Sequence, residues 1–456
     1  MRVFRRSFLT SLLIVALVCA AAPSGHAEVP AAVSPLTLED AIRLGLKHHP
    51  LAQYATANIA LAKAGITRAK ASALPSIGVS EEVIVSNDPV FAFGTKLRQA
   101  RFTTLDFGID SLNHPSAIGN FESSATVNWT AYDFGATQAQ IRDARAAFRA
   151  AELNRSFTDQ EIADRITMLF YRVLLAESQV TAAQTNLVRS REIAADIRDR
   201  VHSGLALEAD GMRADIAARN AEDDLVSAQA NVHVAREDLF EVIGEPQQKG
   251  VALVIPTSNA ESKTTGTAPL ATRLDLQALD LQRTSVQQNL VSIRASAWPK
   301  LSTYARVESD NRHFTSGGSS NWAVGAKLEI SVFDGGARRG REQEAAGELA
   351  KITAQKEQTK LTADSRIREL QAQISDLQRR YDTASDAIDA DQEALRASRD
   401  RYAAGLVPVS EVLNGEADLA AAEFARIRSF YQLCIANSNL QLANGTLTIS
   451  NAGQPQ

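Results

Sequence analysis

The sequence predicts a mostly α-helical protein with a smaller transmembrane β part: a long antiparallel coiled-coil hairpin that occurs twice, each copy preceded by a pair of amphipathic strands. Three observations predict it. The first is a seam through Ala363, Ile367, Leu370, Ile374, Leu377, Tyr381, Ala384, Ile388, Asp391, Leu395, Ser398 and Tyr402 in alternating steps of four and three, the 3.5-residue repeat of helices that supercoil on one another. A return arm steps likewise through Leu413, Ala417, Ala420, Phe424, Ile427, Tyr431 and Cys434. The second is that moving the seam back by 201 positions lands on Ile162, Ile166, Leu169, Val173, Ala176, Val180, Ala183, Leu187, Ser190, Ala194, Ile197 and Val201, an internal duplication. The third is a period of two: Trp322, Val324, Ala326, Leu328, Ile330 and Val332 alternate with Ala323, Gly325, Lys327, Glu329 and Ser331, as in a strand with one apolar face.

Residues 1–27 read as a secretory signal, with Arg2, Arg5 and Arg6 before an apolar run at 8–22 and small residues at Gly25 and Ala27. That run is shorter than the roughly 20 residues a spanning helix needs, and Val18 before Cys19 departs from a lipidation signal. The mature chain is expected to begin at Glu28. Three of the 48 basic residues leave with the signal, so 45 remain against 53 acidic ones, a net charge of −8 that disfavours nucleic acid as a partner. Cys434 is the one cysteine beyond the signal, which excludes a disulfide framework. No downstream apolar run reaches 18 residues, so a membrane crossing has to be made by β-strands.

The first repeat spans 28–244, with helices at 37–49 and 51–73, a β-hairpin at 75–132 and a helical hairpin at 136–243. Thr37 and Asp40 open the first helix as an N-cap and its capping-box partner. Pro50 and Pro75 end the first two helices. A linker at 245–272, rich in Pro, Gly and Thr, holds one short apolar run at 251–255 that reads as a strand. The second repeat, 273–448, has a helix at 274–297, a β-hairpin at 299–333 and a helical hairpin at 336–445, before a tail at 449–456.

The other strands carry Ile77, Val79, Glu81, Val83 and Val85; Ala125, Val127, Trp129 and Ala131; and Leu301, Thr303, Ala305 and Val307 on alternate positions. Each is about ten residues long, as a transmembrane β-strand requires. Four strands cannot close a barrel, so several chains must pool theirs. Residues 87–119 and 309–320 read as connecting loops facing outwards. At Asp133 and Gly135, and again at Asp334 and Gly336, the period changes from two to 3.5, which marks a strand-to-helix turn with an aspartate cap and a glycine that permits the bend.

Catalytic patterns are missing from the sequence: it has no nucleophile elbow, phosphate loop or zinc signature, and no cofactor is expected. His48 and His49 read as an exposed helix end. The charges along the long helices read as solvated faces. The two turns stand apart. Arg200, Ser203, Gly204 and Leu205 match Arg401, Ala404, Gly405 and Leu406 at the same offset, with a glycine placed to reverse the chain without a Cβ clash and a leucine left exposed. Just beyond them lie Asp210 and Arg213 in one copy, Glu411 and Asn414 in the other.

The opening Leu36-Thr37-Leu38-Glu39-Asp40-Ala41 with His49-Pro50, the paired Asp-x-Gly turns, the paired Arg-x-x-x-Gly-Leu turns and the closing Asn444-Gly445-Thr446-Leu447 together resemble the TolC-like outer-membrane factors over residues 36–448. The resemblance implies a homotrimer with a 12-stranded β-barrel in outer-membrane lipid of a Gram-negative bacterium and a helical tunnel in the periplasm. It implies as partners a periplasmic adaptor and an inner-membrane pump or ABC exporter. It also makes the two turns adaptor contacts and places Glu411, Asn414, Asp210, Arg213 and Tyr402 at a periplasmic gate. Asn414 departs from the second acidic gate position, and Val407 stands where the family often has a basic residue. The function implied is a passive export duct, not an enzyme. The alternative is a periplasmic coiled-coil adaptor or scaffold, which normally has a single hairpin between small β domains.

Overall fold

The computed structural model describes residues 35–244, 251–254, 270–314, 316 and 318–449. The signal, the mature start, most of the linker and most of the tail lie outside them. The described chain runs α1 (Leu38–His48), α2 (Pro50–Ala71), β1 (Ser76–Ser86), α3 (Pro89–Arg98), α4 (Ile109–Asn113), β2 (Ile118–Tyr132), α5 (Ala136–His202), α6 (Glu208–Ile243), α7 (Leu274–Ala295), β3 (Lys300–Asn311), β4 (Ser319–Glu329), α8 (Ala337–Ala403) and α9 (Val409–Asn444). The two copies match in length: 67 residues in both α5 and α8, 36 in both α6 and α9, 22 in both α2 and α7. Sixty-seven helical residues extend about 100 Å at 1.5 Å each. Beside α5, α6 covers the half towards the turns while α2 and α7 cover the half towards the strands.

Helix starts follow local chemistry. The Asp40 amide donates to Thr37 Oγ1 at 3.1 Å, and that hydroxyl donates to Asp40 Oδ2 at 2.7 Å, so the carboxylate answers the hydroxyl rather than the backbone. His49 is more than an exposed end: its Nδ1 accepts from Leu51 N at 3.1 Å and caps α2, with Pro50 in the first turn. The linker run at 251–255, expected as a strand, makes in its described residues only an isolated parallel bridge, Leu253 with Leu36 ahead of α1, with Leu36 N donating to Ala252 O at 2.9 Å and Val254 N to Leu36 O at 3.1 Å.

Every seam position of α5 and α8 is buried or half-buried, because the 3.5-residue repeat keeps one stripe against the neighbouring helix along its whole length. On α9 the buried stripe near the turn differs from the expected one. Val409, Val412, Glu416 and Leu419 are buried while Ala417 is exposed. There α9 lies between two partners, α5 and α8, and Val409, Val412 and Leu419 join Ile193 and Ile197 of the first with Ile388 and Leu395 of the second. Further along, Tyr431 and Cys434 are buried as the seam requires.

Two strand boundaries also move. Residues 87–119 are not a plain connection: they contain α3, α4 and a short 3-10 turn at Thr104–Phe107. Asn87-Asp88-Pro89 suggests a turn, but Asp before Pro is equally an N-cap followed by the first helical residue, and Phe91 N donates to Asp88 Oδ1 at 2.7 Å. β4 ends at Glu329, short of Val332, because Lys300 is its last partner and the preceding Pro299 has no N–H to extend the ladder.

The largest cluster gathers Ile166, Leu169, Phe170, Val173 and Leu174 of α5 with Leu239, Ile243, Leu38, Ala41 and Tyr431, whereas Ile367, the counterpart of Ile166, shares a smaller cluster with Leu370, Leu440 and Ala443. Ile166→Ala should therefore cost about 2–5 kcal/mol and Ile367→Ala visibly less. Thermal unfolding of the two variants in detergent checks this; equal losses would mean that the copies carry equal shares of the core.

Candidate functional site

The four strands form one antiparallel sheet in the order β1-β2-β3-β4, with β1 and β4 at its edges. The register sorts the side chains into two faces, since partners across a ladder point to the same side. One face carries the rows Val79-Ala125-Val307-Trp322, Ile77-Val127-Ala305-Val324 and Trp129-Thr303-Ala326, then Leu301 beside Leu328. The other carries Ser80-Ser124-Glu308-Asn321, Gly78-Thr126-Arg306-Ala323, Ser76-Asn128-Tyr304-Gly325 and Thr130-Ser302-Lys327. On that polar face Arg306 pairs with Glu122 and, at 2.9 Å, with Glu308. Gly325 leaves room for the Tyr304 ring, which a Cβ would meet at 2.6 Å. The apolar face is bounded on one side by the row Glu81-Ser123-Ser309-Ser320. At the opposite ends of the strands stand Trp129, Tyr132, Phe134, Trp298 and Phe333, all exposed. An apolar band between an aromatic girdle and a polar row is the pattern of strands that face lipid.

Both strand-to-helix turns use the aspartate as the sequence implies. Asp133 Oδ2 accepts from Thr137 N at 2.8 Å, and Asp334 accepts from Gly336 N at 3.0 Å and Arg338 N at 2.9 Å. The bond from the Arg338 amide leads in holding the exposed Asp334 carboxyl below the ordinary carboxylate range. Gly135 and Gly336 take left-handed φ values of +85° and +90°. Phe134 is left-handed too, at φ +53°, where the second copy has Gly335. Its ring is held 5.4 Å from that of Trp298 and 4.9 Å from that of Tyr132, which offsets the strain of a side chain in that region, about 1–3 kcal/mol.

The hairpin turns superpose in hydrogen bonding. Ser203 N, Gly204 N and Leu205 N donate to Asp199 O, Val201 O and Arg200 O; Ala404 N, Gly405 N and Leu406 N donate to Asp400 O, Tyr402 O and Arg401 O. This is the left-handed C-terminal stop of a helix. A Cβ on either glycine meets nothing within 4 Å, so the reason for glycine is φ, +71° and +72°, and not a clash. Leu205 and Leu406 remain 76% and 72% exposed, so neither packs a helix end.

Of the expected gate residues, the fold gathers some and separates others. Tyr402 lies by Arg200, whose guanidinium sits 5.7 Å above its ring and donates to Ala403 O at 3.3 Å. The Tyr402 hydroxyl is buried without a hydrogen-bond partner. Burial first, and then the charge of Asp210, raise its pKa. Asp210 also lies 3.9 Å from exposed Arg213. Glu411 stays with its own hairpin, accepting from Ser398 Oγ at 3.4 Å and facing Arg401 at 3.6 Å. Asn414 is exposed one turn on.

A family model described as outer membrane efflux protein matches residues 41–245 and 268–446, both copies of the repeat. The chain belongs to that family. As an outer membrane efflux protein it is an export channel of the Gram-negative outer membrane. It is similar to the pyoverdine export outer membrane protein OpmQ of Pseudomonas aeruginosa, at 24% identity over 328 residues, covering 70% of this chain and 69% of OpmQ. It is also similar to CyaE of Bordetella pertussis, at 24% identity over 434 residues and coverage of 90% and 84%. The fold is that of the outer membrane protein VceC of Vibrio cholerae, with a TM-score of 0.75 at 18% identity over 90% of this chain and 96% of that one.

One group in this efflux protein escaped the sequence reading. Arg189 of α5 donates to Glu416 Oε1 at 2.7 Å and to both oxygens of Glu423 at 3.1 and 2.8 Å, and Arg399 of α8 reaches Glu416 at 3.5 Å. Burial opposes the Arg189 charge, but the bonds to Glu423 and Glu416 outweigh it and keep its pKa raised. The signal was available: Glu416 continues the spacing of Val409 and Val412 towards Leu419, a buried position on a helix that should hold an apolar residue, and Glu423 follows one heptad later.

The face assignment is open to a direct check. Val324→Arg should cost about 2–4 kcal/mol near the bilayer midplane and deplete the protein from the outer membrane, while Lys327→Arg on the polar face should leave its amount unchanged by immunoblot. The reverse pattern would exchange the two faces.

Proposed function

We propose that three copies of this efflux channel pool their strands into a 12-stranded barrel whose polar face lines the pore, and that the long helices α5 and α8, with the shorter ones beside them, continue it as a tunnel into the periplasm. The observation that carries this reading is the sheet itself: one apolar face, one polar face, and two edge strands with unpaired backbone. In lipid every backbone polar group needs a partner, and pairing β4 of one copy with β1 of the next supplies it. The resemblance sets the number of copies at three. The duct performs no chemistry and needs no cofactor; it passes what an inner-membrane pump or ABC exporter delivers through a periplasmic adaptor.

The exposed leucines at the two turns give the adaptor its contact, with Arg200, Ser203, Gly204, Arg401, Ala404 and Gly405 around them. Cysteines at Ser203 or Ala404 should cross-link to the adaptor in cells; cross-links from mid-helix cysteines alone would remove the turns from the interface.

Glu411 and Asn414, with Asp210, Arg213 and Tyr402, form the gate in this proposal. Three Glu411 carboxylates around the axis attract cations. Unheated protein should run as a trimer and conduct in planar bilayers, and Glu411→Ala should lower both cation selectivity and block by trivalent ions. Conductance without a trimer would overturn the assembly; a trimer with selectivity and block unchanged by the substitution would leave Glu411 as the surface partner of Arg401.

A further inference from the structure

The segment between β1 and β2 does something that the duct does not require. It is the outer connection of the first hairpin, and its second-copy counterpart is short, joining Asn311 to Ser319. Instead of standing away from the sheet, it folds back over it. α3 packs against both β2 and β4 and so crosses over β3. Gln99, just past α3 and 3% exposed, donates from Nε2 to Gly119 O at 3.0 Å, Asn120 Oδ1 at 2.9 Å and Asn311 O at 3.1 Å. Asn120 Nδ2 in turn donates to Asp310 Oδ1 at 2.6 Å. Arg98 lies 3.8 Å from Glu308.

The side of the sheet decides what this contact means. Glu308 is in a row of the polar face; Asp310 lies two residues along β3 and pairs with Glu122, and Asn120 lies two residues beyond Glu122 on β2, all on that same face. Asp310 is fully buried although it sits near a strand end. The segment thus covers the surface that faces the pore, not the one that faces lipid.

It is also braced. Lys96 reaches Asp106 at 2.8 Å, and Asp106 accepts from both the amide and the hydroxyl of Thr103 at 2.8 Å. These bonds, that from Lys96 first, hold the half-buried Asp106 carboxyl at about 2. Phe102 stands edge-to-face between Phe93 and Phe107, with ring centres 4.9 and 5.1 Å apart. Yet Val90, Leu97, Leu105, Phe107 and Ile109 remain exposed in the single chain. Apolar groups on a segment that leans over a pore gain cover when copies of that segment meet at the axis.

We propose that residues 87–117 form a lid across the outer mouth of the channel, latched to the polar face through Gln99, Asn120, Asp310 and Arg98–Glu308, with the three copies meeting at the axis to set the size of solute that can enter from outside. The inference rests on the trimeric closure proposed above. One lid per chain gives three around the mouth, unlike the paired turns at the other end of the molecule.

A cysteine at Ser302, on the polar face below the latch, reports on the lid. Cys434 does not interfere, being buried with its thiol pushed up to about 11, burial being the main cause. Intact cells carrying Ser302→Cys are treated with a small membrane-impermeant maleimide or with a large polyethylene-glycol maleimide, and labelling is scored on the unheated trimer band. The small reagent should label and the large one should not. Replacing 89–113 by a short Gly-Ser connection should speed labelling by the large reagent at least about tenfold, as expected for removal of a lid. The double variant Arg98→Ala with Gln99→Ala should act in the same direction at full chain length, and serves if the replacement does not assemble. Labelling of the unaltered lid protein by the large reagent, or exclusion that persists in the variants, would overturn the lid. Failure of the Ser302→Cys protein to give a trimer band would count against the closure itself.

Discussion

A peptide N–H or C=O left without a partner in hydrocarbon costs several kcal/mol, and this chain exposes two whole strand edges, β1 and β4. That constraint governs everything beneath the sheet. In the assembly proposed above, strands from several copies pair at those edges into a closed ring, and the helices leaving it at Gly135 and Gly336 continue that ring. Each chain sends down two 67-residue helices of equal length, which is the condition for the far ends to finish at one level. The aspartate caps and the packed rings of Phe134, Trp298 and Tyr132 fix the angle at which a strand of period two hands over to a helix of period 3.5.

Within one chain the two copies have diverged in their duties. α5 is packed by α1, α2, α6, α7 and α9, whereas α8 meets α7 and α9. The first copy is therefore the spine, and the second keeps a long helix flank open. The Arg189, Glu416 and Glu423 group ties spine to flank near the turns. A buried ion pair of this kind adds little net stability over a well-packed apolar contact; what it does is join α5, α8 and α9 at one level of the bundle.

Much of this was legible in the sequence because long repeats average out local noise. The seam from Ala363 to Tyr402 and its counterpart from Ile162 to Val201 were placed correctly at every position, since each has to satisfy the same 3.5-residue geometry. The sheet faces were legible for the same reason with a period of two. Reading failed where a residue answers to more than one rule. Asp88-Pro89 is a turn signal and a helix start, and context chose the second. The α9 stripe was set against one partner and packs against two. A charge on a long helix reads as part of a solvated face, yet the spacing of Glu416 puts it inside. Gly204 and Gly405 were correctly placed at the turns, but what selects glycine there is backbone conformation and not space.

The unpaired edges carry a genetic consequence. If a chain is stable only when its β1 and β4 are both taken up by neighbours, a subunit that folds its helices and pairs along one edge, but is faulty at the other, will be recruited and will then block closure. With such a variant made in equal amount beside the normal chain, random mixing into the proposed three-chain ring leaves only about one ring in eight free of it. Loss of one copy's sheet edge should thus behave as a dominant trait, while loss of the whole gene product, which recruits nothing, should be recessive.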